Sequence, residues 1–220
     1  MLQGKKILIT AGPTYEPIDP VRFFGNRSSG KMGFAIAEVL AGYNAEVYLV
    51  CGPTNIITHN PSIKLFQVET AQQMFDKSAQ LFQNMDAAIF AAAIADYTPE
   101  KVSDKKIKKE QTGSDAILIK LVPTKDILSH LGKIKSPEQV LVGFSLETDN
   151  ELENAKKKLV NKNLDFIVLN SLNDMGAGFS TDTNKITIIN RKGEIVKYPL
   201  KLKTDVAIDI INYLAANYFS

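Results

Sequence analysis

Short apolar runs alternate with segments of helical periodicity along most of this chain. The apolar runs predict strands at Ile7–Thr10, Glu46–Val50, Ile63–Val68, Ala87–Ala93, Val140–Phe144 and Phe166–Leu169. Strands that alternate with helices are typical of βαβ units. The pattern therefore predicts an α/β fold with a doubly wound, mostly parallel, Rossmann-like sheet.

The helical segments carry recognisable start and stop signals. Phe34–Ala41 is apolar on nearly every face, which indicates a buried helix, and Gly42 is placed to cap its carboxyl end. Thr70 and Gln73 have the spacing of a capping box that opens a helix running to about Asn84. Further helices are predicted near Glu151–Lys162 and over Thr204–Tyr218.

Three segments are predicted to lie outside the parallel sheet. Lys185–Ile189 and Ile195–Tyr198, joined through Arg191–Gly193, predict a C-terminal β-hairpin. Ile117–Val122 alternates apolar and polar positions and is expected beside the sheet. Tyr97–Gly113 is a long polar insertion, which we interpret as a lid. With no repeat or linker in the sequence, residues 1–220 are expected to form a single nucleotide-binding domain.

Composition excludes several classes of protein. The chain is 45% hydrophobic and 23% charged, which is typical of globular domains and excludes disordered and collagen-like chains. No apolar run approaches the roughly 20 residues that a membrane helix needs, and the N-terminus does not resemble a signal peptide. The single cysteine, Cys51, forms neither an intramolecular disulfide nor a zinc framework. We therefore expect a cytoplasmic protein with no membrane partner.

The charge is small in total but uneven along the chain. A net charge of +2 argues against a nucleic-acid partner. Glu100–Lys109 nevertheless holds five lysines against two acids, and Glu151–Lys162 holds four against two. Such local cationic patches favour a small anionic ligand, although solvated surface lysines are an alternative explanation for each run.

Two glycine-containing segments follow the first predicted strand and suggest a phosphate site. Thr10–Thr14 ends that strand, and Gly25–Gly33 opens a helix whose N-terminal amides could hold an anion. The second segment nearly matches a Walker A loop but has Met32 where a hydroxyl is required. The dinucleotide motif is also absent, and Val50–Gly52 offers no acidic residue for a ribose. A nucleotide or phosphate site with a different loop remains, or glycines that serve only turns.

Seven motifs spread over essentially the whole chain resemble one enzyme family, phosphopantothenoylcysteine synthetase (phosphopantothenate–cysteine ligase). They are Thr10–Thr14, Glu16–Arg22, Asn26–Gly33, Ala92–Tyr97, Lys106–Lys109, Gly143–Thr148 and Gly178–Asn184. In many bacteria this domain follows a flavin-dependent decarboxylase domain. The chain resembles the free-standing form, so we expect no flavin.

The resemblance implies a ligase of coenzyme A biosynthesis that joins 4′-phosphopantothenate to L-cysteine. The carboxylate attacks the α-phosphate of CTP, pyrophosphate leaves, and the cysteine amine then displaces CMP from the acyl-cytidylate. Mg²⁺ is expected on the pyrophosphate, and the protein is expected to form a homodimer with Ile117–Val122 as the dimer strand. A ligase that prefers ATP and a catalytically silent nucleotide-binding module are the alternatives. A nicotinamide oxidoreductase is disfavoured by the missing acidic residue.

The family's site residues transfer by position. The catalytic residues implied are Asn26, which would contact the acyl-nucleotide, and Lys106, which the lid would bring to the triphosphate. The nucleotide-binding residues implied are Ala92, Ala93, Asp96, Lys106, Lys125, Asp126, Ile127, Phe144, Lys158 and Lys162. The phosphate loop implied is Ser28, Ser29 and Gly30, with Arg22 and Lys31 as weaker candidates for phosphopantothenate. No metal ligand is identified.

Two departures from the family pattern concern the nucleotide. The chain has Thr124–Ile127 where the family commonly has Asn-Pro-Asp-Ile, and Ser145–Leu146 where it has two alanines. The first affects an expected backbone contact to the nucleotide. The second is expected to alter the fit around the base.

Overall fold

The computed structural model describes residues 2–108, 116–147, 149–171 and 181–219. The strands are β1 (Lys6–Ala11), β2 (Tyr15–Pro17), β3 (Phe23–Gly25), β4 (Glu46–Cys51), β5 (Ile63–Gln67), β6 (Ala87–Phe90), β7 (Tyr97–Pro99), β8 (Leu121–Pro123), β9 (Val140–Glu147), β10 (Phe166–Ser171), β11 (Thr183–Asn184), β12 (Ile186–Asn190), β13 (Ile195–Lys197) and β14 (Lys201–Leu202). The helices are α1 (Lys31–Gly42), α2 (Ala71–Phe82), α3 (Ile127–Ile134), α4 (Glu151–Asn161) and α5 (Lys203–Tyr218).

Eight strands form one central sheet in the order β13-β12-β10-β9-β6-β1-β4-β5. The six strands from β10 to β5 are parallel, while β12 and β13 add an antiparallel hairpin at the β10 edge. The order of the parallel strands is that of a Rossmann fold, which reverses between β1 and β6. The predicted fold class and C-terminal hairpin are confirmed.

The helices cover both faces of the sheet, as the alternation along β1 requires. Ile7 and Ile9 point to the face covered by α1 and α5, and Leu8 points to the face covered by α2, α3 and α4. All three side chains are fully buried. A sheet covered on both faces explains why its strands read as nearly continuous apolar runs. None of the described helices is long and apolar enough to span a membrane.

The end of α1 differs from the prediction. Gly42 lies inside the helix, and Tyr43 occupies the C-cap position. Asn44, with φ 59°, takes the left-handed conformation instead, and the Ala45 amide donates to the Leu40 carbonyl to close the last turn. Asparagine tolerates this conformation better than most residues, which is why it replaces the expected glycine. The prediction of a Gly42 cap is therefore wrong.

Two other elements differ in length from their predictions. β6 ends at Phe90, before the predicted end at Ala93, because the Ala93 amide donates to the Gly12 carbonyl at 2.9 Å. Ile117–Val122 lies outside the main sheet as expected, but only Leu121–Pro123 forms a strand, and it pairs with β7. Residues 109–113 of the predicted lid and residues 148 and 178–180 of the quoted motifs lie outside the described residues.

Candidate active site

The chain that follows β6 borders two adjoining cavities beside the point where the strand order reverses. The loop compartment, of about 410 Å³, is bordered by Asn26 and Ser28–Gly33. The lysine compartment, of about 320 Å³, is bordered by Thr124–Leu128 and Lys162. Doubly wound sheets bind ligands at this crevice. The residues that line both compartments are Ala92, Ile94, Asp96, Phe144 and Lys158.

The loop compartment opens over the N-terminus of α1. Gly30 precedes the helix with φ 82°, and a Cβ atom there would lie 3.4 Å from the Gly12 amide nitrogen, so glycine suits this position. Thr54 Oγ1 holds the loop by donating to the Ser29 carbonyl at 2.9 Å. Ser28 Oγ accepts a hydrogen bond from the Gly30 amide at 3.4 Å. Gly30, the N-cap residue, has no side chain to cap the helix, so the arrangement suits an anion bound by backbone amides.

Two lysines flank this loop. Lys31 Nζ lies 2.6 Å from Asp182 Oδ1. Lys203 is 7% exposed and donates to the Thr181 carbonyl at 2.6 Å. Burial and the nearby Lys31 lower the pKa of Lys203, while Asp182 acts in the opposite direction. Because both lysines line the loop compartment, they can attract a phosphate that binds at the helix N-terminus.

A second cationic cluster separates the two compartments. Lys158 Nζ donates to the Phe144 carbonyl at 2.7 Å, and burial and Lys162 lower its pKa. Lys162 lies one helical turn further along α4 and pairs with Asp126 at 2.9 Å. Burial opposes ionisation of Asp126, but Lys162 and the Ser129 amide hold its pKa below the ordinary value. The partly buried Lys158 ammonium is placed to contact ligands in both compartments.

Backbone groups after β6 form the shared wall. The Ala92 amide donates to Thr10 Oγ1 at 3.3 Å, and Asn26 Nδ2 donates to the Ala93 carbonyl at 3.1 Å. Small side chains at 92 and 93 allow a ligand to approach the backbone closely. Asp96 accepts the Thr124 amide through its carbonyl at 2.9 Å, which ties the wall to the lysine compartment.

The remaining nucleotide candidates border the lysine compartment. Lys125 Nζ lies 4.9 Å from the centre of the Phe75 ring. Asp126 caps α3, and Ile127, the first residue of that helix, is buried. The structure therefore brings Asp96, Phe144, Lys158 and Lys162 together with the segment that departs from the family pattern.

Lys106 and Arg22 lie elsewhere. Lys106 is exposed and does not border either compartment. Arg22 pairs with the buried Asp19, whose carboxyl pKa it holds well below the usual range. Arg22 Nη2 also donates to the Ile107 carbonyl at 2.9 Å, and Asp19 Oδ2 accepts the Ile107 amide. Through these contacts with Ile107, Arg22 and Asp19 hold the described part of the predicted lid against the loop before β3.

Several residues of the loop compartment were not among the candidates that the sequence provided. Asn170, at the end of β10, and Asn184, in β11, border it, as does Lys203. Ser145, which the sequence marked as a departure from the family pattern, borders it as well. Ser145 Oγ donates to Glu147 Oε1 at 2.6 Å. A polar residue at the carboxyl end of a core strand was the available signal for Asn170. Lys203 and Asn184 lie in segments whose approach to the site depends on the tertiary fold.

A third cavity, of about 430 Å³, lies beyond the ends of β4 and β5 and contains no predicted site residue. Cys51 borders it, donates its thiol to the Gly52 carbonyl and is 2% exposed. Burial raises the pKa of Cys51 to about 12, which makes this thiol a poor nucleophile. Among the described residues no group of three or more His, Cys, Asp or Glu side chains could hold a metal ion.

Comparisons with known proteins agree with this fold. Over 210 residues the chain is 52% identical to a protein named cysteine/cysteine sulfinic acid decarboxylase from an unidentified prokaryote, covering 96% of this chain and 58% of that protein. Over 215 residues it is 43% identical to the coenzyme A biosynthesis bifunctional protein CoaBC of Bacillus subtilis (strain 168), covering 98% and 52%. The chain thus spans little more than half the length of these relatives.

Solved structures give the same result. The crystal structure of the C-terminal domain of a CoaBC protein superposes with a TM-score of 0.83 at 43% identity, covering 98% of this chain and 96% of that one. A Cab2 variant in complex with phosphopantothenate-cysteine shares the fold, with a TM-score of 0.74 at 18% identity and coverage of 98% and 89%. A family described as the DNA/pantothenate metabolism flavoprotein C-terminal domain matches residues 2–218. The chain belongs to this family.

Proposed function

We propose that the protein is a phosphopantothenate–cysteine ligase that uses CTP and acts in coenzyme A biosynthesis. The observation that carries this proposal is the pair of adjoining compartments, which share Asp96, Phe144 and Lys158. A reaction between an acid and a nucleotide requires two anionic substrates to meet at one point. The likeness to relatives named for coenzyme A biosynthesis, whose C-terminal domain has this fold, also supports the proposal.

Each substrate has a compartment that suits its charge. The loop compartment, with Gly30 at the start of α1 and the cations Lys31 and Lys203, would hold the phosphate of 4′-phosphopantothenate. The lysine compartment, with Lys125 and Lys162, would hold CTP. The acid's carboxylate and the α-phosphate would then meet at the shared wall.

The chemistry proceeds in two steps at that wall. A carboxylate oxygen attacks the α-phosphorus of CTP, and pyrophosphate leaves with the electrons of the broken bond. Lys158 would stabilise the charge that develops on the phosphate, as preorganised cations do in such sites. The cysteine amine then attacks the acyl carbonyl, loses a proton to solvent and displaces CMP.

Asn26 and Lys106 would act at different stages. Asn26 Nδ2 now donates to the Ala93 carbonyl, next to the shared wall, and could donate to the acyl oxygen during cysteine attack. Lys106 is exposed on the segment that we propose as a lid. Movement of that segment would be needed to bring its ammonium to the triphosphate.

Mg²⁺ would reach the site mainly with the nucleotide. This ion keeps several water ligands and commonly binds through substrate phosphates with one or two protein carboxylates. Asp96, which lines both compartments, is a carboxylate suited to that role. Neither step changes an oxidation state, so the reaction as proposed involves no flavin. We further propose that the enzyme acts in the cytoplasm.

The test is pyrophosphate release from protein mixed with 4′-phosphopantothenate, cysteine and Mg²⁺, with CTP and ATP in parallel. Release with CTP that depends on phosphopantothenate supports the proposal. Release with ATP alone keeps the reaction but overturns the choice of nucleotide. Silence with both nucleotides from folded protein supports a binding module instead.

A parallel assay addresses the relative named as a decarboxylase. The protein is incubated with cysteine or cysteine sulfinic acid in the absence of nucleotide, and carbon dioxide is measured. The proposed ligase reaction releases pyrophosphate and CMP and forms no carbon dioxide, so we expect no release. Carbon dioxide above the level without protein would favour the activity in that relative's name.

A further inference from the structure

Two asparagine side chains in the loop compartment have hydrogen-bonding capacity that the residues described in the structure leave unused. Asn170 Oδ1 is buried and has no hydrogen-bond partner among the described residues. Asn184 is 1% exposed, and within the described part of the chain its Nδ2 has only the Met32 thioether as an acceptor, at 3.9 Å. Thioether sulfur is a weak acceptor. The compartment therefore presents one acceptor and one donor that a ligand could satisfy.

The two side chains lie close together in the fold. Asn170 pairs with Ile186 of β12, and Asn184 is two residues before Ile186 in the chain. Asn184 Oδ1 is already occupied by the Lys185 amide at 3.0 Å, which leaves its Nδ2 as the available group. An acceptor and a donor side by side match a secondary amide, which offers one N–H and one C=O.

Their position selects the part of the ligand that they contact. Both line the loop compartment, and neither lines the lysine compartment. The loop compartment runs from the phosphate site at Gly30 to the shared wall at Lys158. A substrate with a phosphate at one end and a carboxylate at the other would place its middle between these points. In 4′-phosphopantothenate the middle of the chain is an amide.

We propose that Asn170 and Asn184 are specificity-determining residues that recognise the amide of the acid substrate. Asn170 Oδ1 accepts from the amide N–H, and Asn184 Nδ2 donates to the amide C=O. An unpaired buried acceptor is costly, so a ligand without the N–H leaves that cost in the complex. This inference rests on the proposed function, since it concerns the acid of that reaction.

The experiment compares two acids, 4′-phosphopantothenate and its analogue with an ester oxygen in place of the amide N–H. Pyrophosphate release gives kcat/KM for each acid with CTP and cysteine. We expect the wild-type protein to prefer the amide by about tenfold. Asn170→Leu should lower kcat/KM for the amide by about tenfold and leave the ester nearly unchanged, so the preference disappears.

Asn184→Leu is the matched variant. Both acids keep the carbonyl, so this change should lower both kcat/KM values by similar factors and preserve the preference. Asn84→Leu, at an exposed position before the amino end of β6, while the crevice lies beyond its carboxyl end, should change neither value. Where Asn170→Leu fails to fold by circular dichroism, Asn170→Ala removes the same acceptor without adding bulk.

The outcomes separate the two proposals. A wild-type preference that persists unchanged in a folded Asn170 variant overturns the amide recognition and leaves the ligase intact. Equal loss of activity toward both acids in that variant also overturns it, because a purely structural role predicts that result. No turnover of the amide acid by the wild-type protein would instead overturn the proposed function.

Discussion

Lys158 combines partial burial with a position between the two compartments. Removing its charge by Lys158→Met should lower kcat/KM for CTP by about 10²–10³-fold, the scale of losing one charge-stabilising donor. The measurement is pyrophosphate release at saturating phosphopantothenate and cysteine. Lys157→Met, at an exposed position on the same helix, is the control and should change little. Equal losses in both variants would contradict the role of Lys158.

The lowered pKa of Lys158 also predicts a pH dependence. Burial and Lys162 favour its neutral form, while Glu147, Asp126 and Asp96 favour the charged form. The ammonium is therefore lost at a lower pH than that of an ordinary lysine, near 10.4. Activity that needs this charge should fall on the alkaline side, and Lys158→Arg should move the fall to higher pH. In folding, the pKa shift favours stability as pH rises above the folded-state pKa, because the unfolded chain still binds the proton.

Lys106 differs from Lys158 in that its predicted role depends on movement. It is exposed beside Lys105, and the resemblance alone distinguishes the two. We expect Lys106→Gln to reduce formation of the acyl-nucleotide by about 10²–10³-fold, because one cation is lost at the triphosphate. Lys105→Gln should remain near the wild-type rate. Quenched-flow trapping of the intermediate checks this, and near-normal formation in Lys106→Gln would show that the residue is misassigned.

Residues could be predicted from the sequence where local rules decide their structure. The capping box of Thr70 and Gln73 is present as predicted, since its hydrogen bonds join neighbours in the chain. Asn184 could not be identified in this way, and the signal available for Asn170 was its position near the carboxyl end of a core strand. Their importance comes from a cavity to which segments distant in sequence contribute, and asparagine alone is more often a turn residue.

At the scale of elements, two glycines make a contrasting pair. A Cβ atom on Gly52 would lie 1.7 Å from the Pro13 carbonyl oxygen, so Gly52→Ala must displace the backbone of the segment Thr10–Thr14. We expect a loss of about 1–3 kcal/mol in the free energy of unfolding. Gly42 is inside α1 with open space around it. The change Gly42→Ala should therefore raise the free energy of unfolding by roughly 0.5–1 kcal/mol. Urea denaturation measures both, and a destabilised Gly42→Ala would contradict the helical assignment.

The length of a strand decides whether the sequence predicts it. Most strands of the main sheet carry a longer apolar run, such as Ala87–Phe90 in β6 and Phe166–Leu169 in β10, and that run identifies them. β2, β3, β7, β11 and β14 have two or three residues each and carry too little pattern to be recognised. They form through pairings such as β2 with β3 and β7 with β8, which depend on the packed fold.

On the scale of the whole molecule, one group of exposed large apolar side chains lies near β2, β3, β7 and β8. Leu118 is 98% exposed, and the others are Val21, Phe23, Phe24, Tyr97, Ile117, Ile119 and Leu121. Exposed apolar surface of this kind marks an interaction site. The resemblance implies a homodimer, so we propose that a second copy covers this surface, with the segment that includes Leu118 in the interface.

The dimer is tested by placing a charge in that surface. Leu118→Asp would bury an unpaired carboxylate in the interface, so we expect the dissociation constant of the dimer to rise about 30-fold or more. Ile57→Asp is the matched control, since Ile57 is 73% exposed between β4 and β5, away from the proposed interface. Sedimentation velocity over a concentration series measures both variants. Because Leu118 does not border either compartment, a monomeric Leu118→Asp protein would also show whether one copy alone retains turnover. A variant that dimerises like the wild-type protein would place the interface on another surface.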